Sequence, residues 1–93
     1  MGPIAERIKA GAGEAVKTPM EIDKNDLRER IGTRLRKIRL RRGMTLAAVA
    51  TATGIGASHL SRVESGQAST DIAQLLKLAR VYDVKVEELL NAI

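Results

Sequence analysis

Cysteine is absent from the 93-residue chain, which excludes disulfide staples, thiolate metal sites and cysteine nucleophiles. The single histidine, His59, cannot build a metal site alone. Phenylalanine and tryptophan are missing too, and Tyr82 is the one aromatic residue. Proteins that hold single-stranded nucleic acid stack bases on aromatic side chains. A basic chain without such platforms suits a duplex better, through charge and groove contacts. No run approaches the roughly 18–20 apolar residues of a membrane span. The opening residues lack a charged segment followed by an apolar one, and Glu6 stands where a myristoylation signal needs Ser or Thr. A soluble cytoplasmic protein with no membrane partner is therefore expected. No nucleophile–base pair or metal cluster is recognisable, and Gly11-Ala12-Gly13 has no strand before it to make a phosphate loop. Neither enzymatic activity nor a cofactor is expected.

Positive charge is what the chain has in excess. Sixteen Lys and Arg against eleven Asp and Glu give +5, and the excess is concentrated. Residues 27–45 hold Arg28, Arg30, Arg34, Arg36, Lys37, Arg39, Arg41 and Arg42 against Glu29 alone, a net +7, while the flanking segments are each −1. Such a patch is an electrostatic footprint for a polyanion. Taken by itself, it is equally consistent with a solvated helix face.

Residues 1–25 carry both prolines, three glycines and no sustained apolar period, the pattern of a flexible arm with a weak helical stretch around Ile4 to Ala10. The domain is expected over residues 26–93. Asp26 and Glu29 make a D-x-x-E start resembling a capping box. Leu27, Ile31, Leu35 and Ile38 then form one apolar stripe of a first helix, with Arg30, Arg34, Lys37 and Arg41 as a second stripe beside it. Gly43 stops this helix. Thr45 caps a second, Leu46 to Thr53, with Leu46, Val49 and Ala50 inward, and Gly54 ends it. A third follows over about Ala57 to Ser65, with Ala57, Leu60 and Val63 as its apolar positions and Gly66 after it. Asp71 and Gln74 open a fourth, nearly apolar all round through Ile72, Leu75, Leu76, Leu78 and Ala79, and so read as the central core helix. After a Tyr82-Asp83-Val84 turn, Val86, Leu89, Leu90 and Ile93 mark a short fifth. The fold class is all-α.

Two short helices joined by a tight, glycine-containing turn meet the requirement of a helix-turn-helix, here over about residues 46–65. The third helix presents Ser58, His59, Ser61, Arg62 and Ser65 outward, small or polar residues of the kind a groove-reading helix needs. On these residues the chain resembles the Cro/CI-type, or Xre, helix-turn-helix family over residues 31–90. Leu60-Ser61-Arg62-Val63-Glu64-Ser65-Gly66 is the strongest signature. The resemblance implies a five-helix, lambda-repressor-like DNA-binding domain, usually a dimeric transcription regulator, with the third helix in the major groove. The sequence departs from the family at Leu46, where Gln is common, at Gly56 for Ser or Thr, at Thr70 for Pro and at Asp83 for Gly.

The resemblance points Ala57 and Ser58 at base edges, and Ser61 and Arg62, outward on the same helix, are expected to contact bases as well, Arg62 through guanine O6 and N7. Arg62 has two further readings, a fold back onto the second helix and a phosphate contact. Phosphate contacts are expected of Arg34, Lys37, Arg41, Arg42, Thr45, Leu46, Gly56, His59, Ser65 and Gln67, with side-chain and backbone donors both contributing at Thr45 and Gln67. Arg39 is either another phosphate ligand or, as the resemblance implies, the partner of Glu64 in a structural salt bridge. The leading functional expectation is a sequence-specific regulator of double-stranded DNA, a repressor acting as a homodimer on a twofold operator. The alternative is a helix-turn-helix used for protein contact, such as an autoregulating antitoxin whose N-terminal arm captures a protein partner.

Overall fold

The computed structural model describes residues 23–90. Five helices occur among them: α1 (Lys24–Arg41), α2 (Leu46–Thr53), α3 (Ala57–Glu64), α4 (Ile72–Tyr82) and α5 (Val86–Leu90). No strand is present among the described residues, and no described helix is long and apolar enough to cross a membrane. The expected arm, up to residue 22, and Ile93 lie outside the described residues.

The chain order is not the packing order. α1 packs on α3 and α5, α2 on α3 and α4, and α4 on α5, so the contacts close into a ring running α1–α3–α2–α4–α5 and back to α1. Inside it lie Leu35 and Ile38 from α1, Val49 from α2, Ile55, Leu60 and Val63 from the turn and α3, Leu75, Leu78, Ala79 and Tyr82 from α4, and Leu89 from α5. Removing these side chains from water is the main force holding five short helices together, since helices of eight residues are marginal alone.

Several boundaries differ from expectation. α1 starts earlier, because the Asp23 side chain, not Asp26, accepts from the backbone N–H groups of Asn25 and Asp26. Either aspartate can cap; nothing between them breaks a helix, so the earlier one does. Asp26 instead pairs with Arg30 across one turn at 3.0 Å. Tyr82 is not a turn residue: it ends α4 and is among the largest fully buried side chains. Asp83 after it adopts the left-handed conformation, φ 54°, which aspartate tolerates better than most residues. α4 is not buried all round either. Ile72 is 74% and Leu76 50% exposed, because the ring covers only the Leu75–Leu78–Ala79–Tyr82 side. Ala57 is exposed at the start of α3 rather than inward.

Candidate nucleic-acid interface

The turn between α2 and α3 is stitched by one side chain. The buried Thr53 hydroxyl donates to the Val49 carbonyl at 2.8 Å, and its oxygen accepts the Ile55 N–H at 3.1 Å. Gly54, at φ 77°, supplies the left-handed residue and closes on the Ala50 carbonyl at 2.8 Å. Ile55 then drops into the core. At the other end of α2, Thr45 caps as expected, its hydroxyl oxygen accepting the Ala48 N–H at 3.0 Å. Gly56 precedes α3 with no side-chain cap, so the first-turn N–H groups of that helix keep no side-chain acceptor from it.

α3 is divided cleanly. Leu60 and Val63 are buried, while Ala57, Ser58, Ser61, Arg62 and Ser65 are exposed and His59 is half-buried on the flank. Arg62 is exposed and makes no side-chain hydrogen bond or ion pair with any described residue, on α2 or elsewhere. Two other expected donors are occupied. The Ser65 hydroxyl donates to the Arg62 carbonyl at 3.1 Å, and the Gln67 backbone N–H donates to the same carbonyl at 2.8 Å. Gln67 thus has its exposed side chain, not its backbone N–H, to offer a ligand.

α1 and α3 are locked together. Arg39 donates through Nε to Glu64 Oε2 at 2.8 Å and through Nη2 to Oε1 at 3.0 Å, while Nη1 donates to the Met44 carbonyl at 2.9 Å. The two side chains are only 11% and 9% exposed. The bidentate hydrogen-bonded carboxylate holds the Arg39 guanidinium above the usual arginine range, with burial opposing. Two turns away, Gly32 lies so close to α3 that a Cβ there would collide with the Val63 carbonyl and come within 2.7 Å of the Glu64 carbonyl oxygen. The sequence reading missed Gly32. The available signal was a glycine inside a helix, which is unfavourable by about 1 kcal/mol unless something must approach closely.

The remaining α1 cations split between two sides. Arg34 donates from Nε to the Glu88 carbonyl at 3.0 Å, and Arg42 from Nη2 to the Asp83 carbonyl at 3.3 Å. Arg41 and Arg42 line a depression with Ile38, Val84 and Glu88. These three arginines, all expected at a DNA backbone, lie at the α5 side; exposed Lys37 has no partner among the described residues. Arg36, not singled out from sequence, lines a cleft beside Ser61 of α3 and Ser65 at its C-terminal cap.

A capped short helix, a stitched three-residue turn and a second helix with an uncommitted polar ridge, held against a basic helix, define a helix-turn-helix protein. The helix-turn-helix profile designated HTH_3 matches residues 35–89, and the chain belongs to that family of DNA-binding transcription regulators, the Xre or Cro/CI type. Among solved structures, it is similar to the restriction-modification controller protein C.AhdI from Aeromonas hydrophila, at 32% identity and TM-score 0.65 over 67% of this chain and 94% of that one. It is also similar to an HTH_3 family transcriptional regulator from Vibrio cholerae, at 28% identity and TM-score 0.70 over 74% of this chain and 39% of that one. The clp gene regulator ClgR from Corynebacterium glutamicum matches at 29% identity and TM-score 0.69, over 71% of this chain and 70% of that one. No curated protein is significantly similar.

Proposed function

We propose that the protein is a sequence-specific double-stranded DNA-binding repressor that acts as a homodimer on a twofold-symmetric operator. The observation that carries this reading is the α3 ridge: Ser58, Ser61 and Arg62 are exposed while Leu60 and Val63 are sunk in the core. Arg62, without a partner among the described residues, has the reach and geometry for guanine O6 and N7. Ala57 offers only apolar contact, such as a thymine methyl, and Ser58 serves several bases, so DNA shape and bridging water carry part of the specificity. Thr45, Leu46, Gly56, His59 and the side chain of Gln67 flank the ridge as the backbone-contacting set.

The homodimer reading draws support from Ile72, Leu76 and Leu90, which expose large apolar side chains on α4 and α5. A second copy is the occupant a twofold operator requires. A repressor of this kind occludes a promoter. The decisive measurement is a mobility shift on genome-selected fragments against random-sequence competitor, followed by footprinting. Half-sites about 10 bp apart, centre to centre, are expected, with affinity falling by ~10³ to 10⁵ between 50 and 200 mM salt if a dimer neutralises ~6–10 phosphates. A flat salt response, or protection of a single asymmetric site, would overturn the reading. Leu76→Glu should convert a dimer to monomers in sedimentation without unfolding the domain.

A further inference from the structure

We propose that the electrostatic contact of α1 with a duplex is made by Arg36, in a phosphate seat at the α1–α3 cleft, and not by the Arg34–Lys37–Arg41 stripe. The inference rests on the DNA-binding reading above. Gly32 and Arg39 mark the line along which α1 touches α3. At the step of about 100° per residue, Arg36 lies about 40–60° from that line, whereas Arg34, Lys37 and Arg41 lie about 140–180° from it, on the other side of the helix. Arg36 is therefore an exposed α1 cation that shares an opening with Ser61 of the α3 ridge.

That opening is a cleft of about 280 Å³ lined by Arg36, Arg39, Leu46, Ser61, Glu64 and Ser65. Its charged floor is already neutral: both Glu64 carboxylate oxygens are held by Arg39, whose three guanidinium nitrogens all have acceptors. Leu46 has no side-chain donor, and the Ser65 hydroxyl proton is turned to the Arg62 carbonyl. What remains for an anion is the exposed Arg36 guanidinium, which has no hydrogen bond or ion pair with any described residue, and the exposed Ser61 hydroxyl. A phosphate seated there would engage Ser61 from the α1 side and leave Ser58 and Arg62 to the base edges. On the α5 side, Arg34 and Arg42 each commit one guanidinium N–H to a carbonyl, of Glu88 and Asp83, and so tie the fold together there.

The test uses the full chain and a random-sequence duplex titrated between 50 and 200 mM salt, with Arg36→Gln, Arg34→Gln and Lys37→Gln. Arg36→Gln is expected to reduce the slope of log affinity against log salt by about one unit per protomer while leaving the melting temperature unchanged. Arg34→Gln should keep the slope and lower the melting temperature, and Lys37→Gln should keep both. An unchanged slope for Arg36→Gln, or a slope reduced by Lys37→Gln or Arg34→Gln instead, overturns the inference while the DNA-binding reading stands. A wild-type chain that binds no duplex overturns both.

Discussion

The two junctions of α1 are built on different principles. Against α3, Gly32 brings backbone to backbone and Arg39 closes a bidentate, nearly buried pair with Glu64. Against α5, a helix of five residues, the polar link is one arginine donor, Arg34 on the Glu88 carbonyl, with Arg42 just after α1 tied to the Asp83 carbonyl ahead of α5 and Leu89 as the buried anchor. The first junction tolerates little displacement, because its contacts are short, directional and shielded from water. The second relies on a single partly buried hydrogen bond between the helices. Rigidity is thus placed where the angle between the basic helix and the ridge-bearing helix is set.

Breaking the ion pair tests that contrast most severely. Arg39→Ala and Glu64→Ala should each lose roughly 3–5 kcal/mol, the range for removing one partner of a buried pair. Arg39→Ala should be the worse, since the Met44 carbonyl also loses its donor. The double variant should lose far less than the sum of the singles, read by denaturant unfolding. Should both singles melt like the wild type yet bind DNA less tightly, the pair is a ligand-binding feature and not a clamp.

Gly32→Ala comes next, at roughly 2–3 kcal/mol, because the methyl meets fixed backbone on α3 and α1 must shift. In an exposed helix position the same change would stabilise, so a raised melting temperature would show that α1 and α3 are not in close contact.

A third test reaches the clamp from α4. Burial pushes the Tyr82 hydroxyl up to about 12, with the Glu64 carboxylate adding to the shift and Arg39 opposing it. The folded state therefore holds this proton more tightly than the unfolded chain, whose tyrosine titrates near 10. The contribution is complete below about pH 10 and is lost as pH rises through about 12, up to ~2–3 kcal/mol in all. Stability measured from pH 9 to 12 should show that decline, and Tyr82→Phe should flatten it.

The α5 side should respond weakly. Arg34→Gln, deleting a half-buried charged donor to the Glu88 carbonyl, should lose only about 1 kcal/mol. A loss matching that of Arg39→Ala would erase the distinction between the junctions. Smallest of all, Gly56→Ser should gain a few tenths of a kcal/mol by capping α3, since a Cβ at that position meets nothing.

Much of this architecture is legible in the residues. Thr45 with Gly54 brackets α2, Asp71 caps α4 with its carboxylate 2.7 Å from the Gln74 nitrogen, and the Leu60–Val63 spacing picks the inward side of α3. Local rules suffice there, because caps and periodicity act within a turn or two of the chain. Family resemblance added the pairing of Arg39 with Glu64, which no local pattern links across 25 positions.

Which way the α1 charges face is another matter. Periodicity sorts Arg36 from Arg34 and Lys37 around the helix, yet it assigns no partner to either side. That assignment depends on α1 packing on α3 with one edge and on α5 with another. The same holds for Ile72 and Leu76, whose apolar character is plain in the chain but whose exposure follows from the closed ring of helices covering one side of α4. A sequence sets the composition of each helix face through local stereochemistry. Which face meets protein and which meets solvent is a property of five helices competing to bury the same core.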